Sequence, residues 1–300
     1  MILITGGAGF IGSHLVESLS NDDVIVIDNL NDDYNPSIKR QNIANKSYDR
    51  FYEKDINDCE DVFKWNQVDT IIHLAAKAGV RPSIERPQDY IYNNINGTLN
   101  ILEMARKYDV KKFIFSSSSS VYGTNKNIPF KETDPCNNII SPYAASKLSC
   151  ESLCHTYSNL YDIPTVIFRF FTVYGPRQRP DMAFNKFTRL LKNNKTIKDY
   201  GNLDTYRDYT YVSDIVSGIL LSLKHNTSFD IFNLGCGEVI KLRDAINIIA
   251  DLLNKKPSFI KSETPLGDVP ITSSDLSKAK DKLNYQPKTS LGEGLKEMIK

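Results

Sequence analysis

Tyr143 and Lys147 stand four residues apart in the segment YAASK, and a run of five serines, Ser116–Ser120, precedes them. Residues four apart on a helix share a face. A tyrosine hydroxyl titrates near 10 in isolation. A neighbouring ammonium favours the phenolate and lowers that value, so the tyrosine becomes a base near neutral pH. Ser118 adds a second hydrogen-bonding group for a reacting oxygen. Alone, such a Tyr–Lys pair is equally an ordinary surface pair of a helix, and the chemistry becomes specific only beside a second motif.

That motif is the N-terminal segment MILITGGAGFIG. Gly6, Gly9 and Gly12, with Phe10 and Ile11 between the last two, separate an apolar strand-like run from a helical one, and Gly7, Gly9 and Gly12 also satisfy G-x-G-x-x-G. Glycine is required where the backbone turns sharply and approaches a pyrophosphate without a Cβ. The helix that follows presents free N–H groups and its positive end to the phosphates. Asp28 closes the next apolar run, Val24–Ile27, and Asn29 follows it. A carboxylate there accepts hydrogen bonds from ribose hydroxyls and repels a 2′-phosphate, which favours NAD over NADP. Asp55 and Ile56, after a third run, are placed to flank the adenine. Together the motifs predict hydride transfer between a nicotinamide and an alcohol carbon, with Tyr143 handling the proton and the positive nicotinamide ring lowering its pKa further.

The elements that must position these residues follow from periodicity. Met1–Thr5, Val24–Ile27, Thr70–Leu74, Lys112–Phe115 and Thr165–Phe170 read as strands, the serine run following directly on the fourth of them. Ile11–Leu19, Gly97–Tyr108 and Ala144–Leu160 read as helices, with Val212–Lys224 and Leu242–Asn254 beyond. This alternation predicts an α/β, Rossmann-type, doubly wound parallel sheet. The expected division is a dinucleotide-binding domain over residues 1–174. Residues 175–300 form a smaller substrate-binding lobe, with some later segments returning to the main sheet.

The 300 residues carry 37 basic and 36 acidic side chains, a net charge of +1, which provides no global field for nucleic acid or an anionic membrane. Lys39, Arg40 and Lys46 are expected on a solvated helix face. The five cysteines show no framework spacing, which favours reduced thiols and a cytoplasmic location. No apolar run reaches the roughly 20 residues a membrane span needs, and the apolar N-terminus lacks a basic leader. Cys150, Cys154 and His155 cluster on the expected catalytic helix without a second ligand pair, so packing is expected there rather than metal. His73 is expected to be a packed, hydrogen-bonded histidine.

The chain resembles the extended short-chain dehydrogenase/reductases, within them the nucleotide-sugar epimerases and dehydratases. The resemblance rests on TGGAGFIGSH, IDN, HLAAKAGVRPS, NNINGTLNILE, FSSSSSVYG, SPYAASK, RFFTVYGPRQRPDMA and RDYTYVSD, and more weakly on FNLGCG and GDVPITSSDLSKA. It implies NAD contacts at Leu74, Ala75, Ala76, Asn93 and Ser116 besides those named above and Tyr143 and Lys147. In related 4,6-dehydratases an Asp–Glu pair follows the equivalent of Ser118, and related decarboxylases usually carry a Glu at the second position. Here Ser119 and Ser120 stand there, which leaves oxidation and reduction at one carbon, the chemistry of a 4-epimerase. The implied cycle removes the 4-hydroxyl proton to Tyr143 and a hydride to NAD⁺, turns the 4-keto sugar about its diphosphate, and returns the hydride to the other face.

RFFTVYGPRQRPDMA and IDNLNDDYNPSIKR resemble the UDP-glucuronate 4-epimerases. Galactose-type relatives usually have Asn at Thr172, and Arg179 matches an arginine near the sugar carboxylate. Ser83, Ser118, Ser119, Ser120 and Tyr143 are implied to face the UDP-sugar, and Arg207 and Asp268 to hold its diphosphate and uridine ribose. Lys77 departs from the Gln common in the glucuronate group, so UDP-glucose/galactose and the N-acetylhexosamines stay open, as does, more distantly, a non-catalytic NAD sensor. Relatives usually form homodimers through two helices per subunit, one of them the YxxxK helix.

Overall fold

The computed structural model describes residues 1–19, 23–201, 203–262 and 269–300. Short runs, mostly apolar, form strands, most of them buried on both faces. These are Ile2–Thr5 (β1), Val24–Ile27 (β2), Arg50–Tyr52 (β3), Thr70–His73 (β4), Lys112–Ser118 (β5) and Thr165–Phe170 (β6). With Phe229–Leu234 they make a seven-stranded parallel sheet, ordered Phe229–Leu234, β6, β5, β4, β1, β2, β3. Alternate residues feed two hydrophobic layers. Ile4, Val26, Ile72 and Ile114 face one, and Leu3, Ile25, Ile71 and Phe113 face the other. The chain winds outward in both directions from β1, so a crevice opens at the carboxyl ends of β1 and β4.

Two segments of the second half return to this core. Phe229–Leu234 pairs with β6 along its length. The Val212–Ser222 helix packs beside the Phe10–Ser18 helix (α1), with Ile215 and Ile219 in the same cluster as Leu15 and Val16. A separate cluster, including Tyr174, Phe184, Leu191, Ile246 and Leu295, joins the helices Ala183–Lys192, Leu242–Leu252 and Leu291–Ile299.

Three local outcomes differ from the periodicity reading. Strand β5 does not stop at Phe115. It runs through Ser118, with Ser116, Ser117 and Ser118 in register with Phe168, Arg169 and Phe170. Continued pairing satisfies the backbone, and the Ser117 and Ser118 hydroxyls have polar partners, so serine composition is no barrier. Ser119–Tyr122 then forms one 3₁₀ turn. Ahead of the Gly97–Lys107 helix, residues Ile91–Asn96 form a π-helical segment that no periodicity announces. The helix expected from Ala144 starts at Pro142, whose preset φ suits the first turn, and the Ser141 hydroxyl accepts the Ala144 N–H at 3.1 Å.

His73 is fully buried, with Nδ1 2.6 Å from the Thr5 hydroxyl and Nε2 3.0 Å from that of Thr98. Burial, reinforced by the Lys147 charge, depresses its pKa from 6.5 to about 3. The folded ring therefore stays neutral while the unfolded ring takes up a proton as pH falls below 6.5. Stability is intact above that pH and is lost progressively below it. Urea unfolding at pH 7 and pH 4.5 should show the wild type losing about 3 kcal/mol more than His73→Gln. Equal losses would show that His73 is not the group responsible.

Candidate functional site

A cavity of about 420 Å³ occupies the crevice. Its floor is the turn between β1 and α1. Gly6 has φ +72°, and a Cβ there would lie 2.8 Å from the Ala75 nitrogen. A Cβ on Gly12 would collide with the Gly6 carbonyl oxygen. Gly9 caps α1 without any side-chain hydrogen bond, and its N–H reaches the Gly6 carbonyl at 3.1 Å. The first turn of α1 thus lies open to the cavity, where Gly6, Gly9, Phe10, Ile11 and Gly12 all form wall. This fits a dinucleotide pyrophosphate. Gly12→Ala should weaken NAD binding about tenfold, the strain of one misplaced methyl. Isothermal titration with NAD⁺ would show it, and unchanged affinity would refute the cradle.

Asp28 and Asn29 form the next part of the wall, at the end of β2. The Asp28 carboxylate accepts the Ala8 N–H at 3.1 Å and the Leu30 N–H at 2.9 Å. Burial raises its pKa, against the pull of the nearby Lys39 ammonium. Lys39 corrects the expected solvated helix face. It is buried on the cavity wall, its Nζ 2.7 Å from Asn31 Oδ1 and 4.9 Å from the centre of the Tyr34 ring. The Pro36–Ile43 helix turns this side inward, toward Asp28, while Arg40 pairs with Glu53 and Lys46 with Glu17 outside.

The opposite wall carries Leu74, Ala75, Ala76, Lys77 and Asn93. The π segment places consecutive asparagines in different surroundings. Asn93 lines the cavity, while Asn94 accepts the Lys77 N–H at 2.8 Å and donates to the Ser146 hydroxyl at 2.9 Å. Lys77 reaches across the end of β1 to the loop after β2, where its Nζ meets Asp33 Oδ1 at 2.8 Å.

On the far side the Pro142–Tyr161 helix delivers Tyr143 and Lys147, and β5 with its 3₁₀ turn delivers Ser116, Ser117, Ser118, Ser119 and Ser120, all wall residues. Burial raises the Tyr143 pKa, and the Ser118 hydrogen bond and the Arg179 charge oppose it. This reverses the direction expected from sequence. The Lys147 ammonium is turned to the Ser116 carbonyl, 2.7 Å away, and lies 4.8 Å from the Phe115 ring centre. Burial lowers the Lys147 pKa to about 8.

The second half of the chain contributes Thr172, Val173 and Met182 to the wall. Arg179 is not wall, but its guanidinium lies 5.8 Å from the ring centre of the wall residue Tyr34. It forms a two-pronged pair with Asp181, at 3.0 and 2.7 Å. Three other expected site residues also stand off the wall. Asp55 accepts from Asn29 Nδ2 at 2.9 Å and so braces a wall residue, whereas its neighbour Ile56 is wall. Ser83 is buried and donates to the Val80 carbonyl at 2.6 Å. Arg207 donates to the Tyr206 carbonyl at 2.8 Å. Asp268 lies outside the described residues. The sequence reading missed Asn31, Asp33, Tyr34, Lys54 and Val80, which also form wall. The signal available for the first three was the dense polar run NDDYN, which begins three residues after Asp28.

Elsewhere on the Pro142–Tyr161 helix, Cys150 and Cys154 are buried in the core, and His155 packs edge-on against Phe229 at 4.7 Å. Among the described residues, no helix is long and apolar enough to cross a membrane.

Comparison with known proteins agrees with this geometry. Residues 3–298 match the family described as GDP-mannose 4,6-dehydratase. A UDP-glucuronate 4-epimerase of Thermodesulfobacterium geofontis is 40% identical over 306 residues, covering 99% of this chain and 94% of the relative. The crystal structure of a UDP-glucuronic acid 4-epimerase from Bacillus cereus, in complex with UDP-glucuronic acid and NAD, superposes with a TM-score of 0.93 at 35% identity, covering 99% of this chain and 97% of that one. A UDP-glucose 4-epimerase of Thermotoga maritima, solved with UDP-glucose, gives a TM-score of 0.91, also at 35% identity, with the same coverage of 99% and 97%. The chain belongs to the GDP-mannose 4,6-dehydratase-like family of extended short-chain dehydrogenase/reductases.

Proposed function

We propose that the protein is an NAD-dependent 4-epimerase that converts UDP-glucuronate to UDP-galacturonate. The observation that carries the reaction class is the composition of the cavity. A dinucleotide cradle and a hydrogen-bonded Tyr143–Ser118 pair share one space, and Ser119 and Ser120 stand where a dehydratase needs acids. The relatives named above supply the substrate class. Gly6, Gly9, Gly12, Asp28 and Lys147 would hold NAD, which when bound supplies the hydride acceptor and donor at C4.

Tyr143 removes the 4-hydroxyl proton, and Ser118 holds the same oxygen by a hydrogen bond. Burial favours the protonated Tyr143 phenol, so its activation needs positive charge, which Lys147 and a bound nicotinamide would supply. Turning of the 4-keto sugar about its diphosphate presents the other face, and the Tyr143 proton returns to the inverted oxygen. Both parts of the chain contribute sugar-nucleotide contacts, Thr172 and Arg179 at the carboxylate and Arg207 and Asp268 at the nucleotide. Asp181 holds the Arg179 guanidinium until a substrate carboxylate replaces it.

The Arg179–Asp181 pair also favours a second reading. A guanidinium already neutralised by the chain's own carboxylate needs none from the substrate, which suits UDP-glucose or an N-acetylhexosamine. Proton NMR of the enzyme with NAD⁺ and, separately, UDP-glucuronate, UDP-galactose and UDP-N-acetylglucosamine tests both. UDP-galacturonate alone supports the first reading. Turnover of a neutral sugar alone supports the second, and no turnover in any tube overturns the epimerase.

The fold also supports a homodimer joined through the catalytic helix and the Ile91–Lys107 helical segment, where Ile91, Tyr92, Leu99 and Leu160 are exposed. Gel filtration should give about twice the monomer mass, and a strict monomer refutes this. Five free cysteines fit a reducing, cytoplasmic setting.

A further inference from the structure

The catalytic helix carries a third residue in phase with Tyr143 and Lys147. Glu151 lies one further turn along the same face, and β5 meets the three with three consecutive serines. Tyr143 is hydrogen-bonded to Ser118, Lys147 donates to the Ser116 carbonyl, and the Glu151 carboxylate accepts from the Ser117 hydroxyl. Glu151 is also gripped by Arg169, through Nε at 3.1 Å and Nη2 at 2.7 Å. Arg169 is the register partner of Ser117 on β6, so the two side chains stand side by side on one face of the sheet. Both charged side chains are only 5% exposed.

A buried ion pair is a poor adhesive. The cost of desolvating both ions offsets most of their attraction, and apolar residues of similar volume hold a helix to a sheet as well. What apolar residues cannot supply is charge beside Lys147. The titratable groups around that ammonium are Tyr143, Cys150, Cys154 and Glu151 on its own helix, His73 from β4, and Arg169 from β6 behind Glu151, and burial also favours the neutral Tyr143 phenol. Burial keeps the two thiols and the imidazole neutral. Glu151 is the carboxylate in this group.

We infer that Glu151 and Arg169 are positioning residues for the reaction proposed above: the pair fixes the register of the catalytic helix on β5 and β6, and the Glu151 charge keeps Lys147 an ammonium at working pH. Arg169 supports this by fixing where the Glu151 carboxylate lies. The inference rests on the epimerase reading for its purpose, but not for its test.

The test titrates the Lys147 side chain directly in the NAD-bound enzyme. Lysine labelled with ¹³C at Cε gives one resonance per residue, and the Lys147 signal is assigned by its absence in Lys147→Arg. In Glu151→Gln, which keeps the shape and an acceptor for Ser117, the Lys147 midpoint should fall by roughly one pH unit. In Glu151→Asp the charge remains and the midpoint should stay within a few tenths of a unit of the wild type. The basic limb of kcat should follow the midpoint in both variants, with KM little changed. A Glu151→Gln midpoint equal to the wild type overturns the electrostatic role. So does an equal displacement in Glu151→Asp, which would mean that register alone matters. If Glu151→Gln does not fold, the Asp variant still decides, because a lowered midpoint with charge retained contradicts the inference. Because no sugar is needed to read the midpoint, failure of the epimerase assignment leaves this result interpretable.

Discussion

Tyr143→Phe should lower kcat on the order of 10³-fold, the usual loss when a positioned acid–base group is removed. The substitution deletes one oxygen and leaves the ring, which packs edge-on against Tyr90 at 6.1 Å. Unfolding temperature and NAD content should therefore match the wild type, and KM for the sugar nucleotide should change little. Residual activity within tenfold of the wild type would remove Tyr143 from the proton path. If all measurable function survived intact, a cofactor-sensing role would replace catalysis. The variant should also lose the rise of activity with pH on the acidic limb, because Tyr143 is the titratable group hydrogen-bonded to Ser118.

Arg179→Met should divide the substrates. A guanidinium that meets a carboxylate in a water-poor pocket forms a charge-assisted, two-pronged contact, and truncating one partner of such a pair costs 2–5 kcal/mol in general. For UDP-glucuronate, kcat/KM should fall on the order of 10²-fold. UDP-galactose has no carboxylate to lose, so whatever turnover it shows should change within a few-fold. Asp181→Asn gives the complementary result. It releases Arg179 from its internal partner, so KM for UDP-glucuronate should fall. Equal losses on charged and neutral sugars in Arg179→Met would assign Arg179 to the diphosphate that all these substrates share.

What the sequence made legible is what sits close together along the chain. The glycines of residues 6–12, Asp28 at the end of its run, and the four-residue step from Tyr143 to Lys147 each occupy one strand, turn or helix. Local spacing reports on these because the element itself sets the geometry. The parallel sheet was legible for the same reason, as alternation of short apolar runs with helical ones. The order of the strands was not. Lys77 meets Asp33 because β4 and β2 flank β1, and nothing within either segment announces the other. Lys39 was assigned to solvent because a lysine among polar neighbours gives no sign that its helix turns inward. The direction of the Tyr143 shift was misread for a related reason. Spacing reveals the neighbouring ammonium but not the burial that outweighs it, nor the Ser116 carbonyl toward which that ammonium turns. Arg179 was located by resemblance, but its engagement with Asp181, two residues away, needed side-chain geometry.

The serine run has a consequence for how the chain tolerates change. Five identical residues look interchangeable, the kind of tract in which one unit more or less leaves composition untouched. In the fold each has its own address. The first is read through its carbonyl by Lys147, the second through its hydroxyl by Glu151 and the third by Tyr143, while the last two turn into the cavity wall. Losing or gaining a single serine would therefore act as a frameshift in space. Every side chain beyond it would move to the opposite face of the strand, and a homopolymer on paper would prove as intolerant of slippage as a coding triplet.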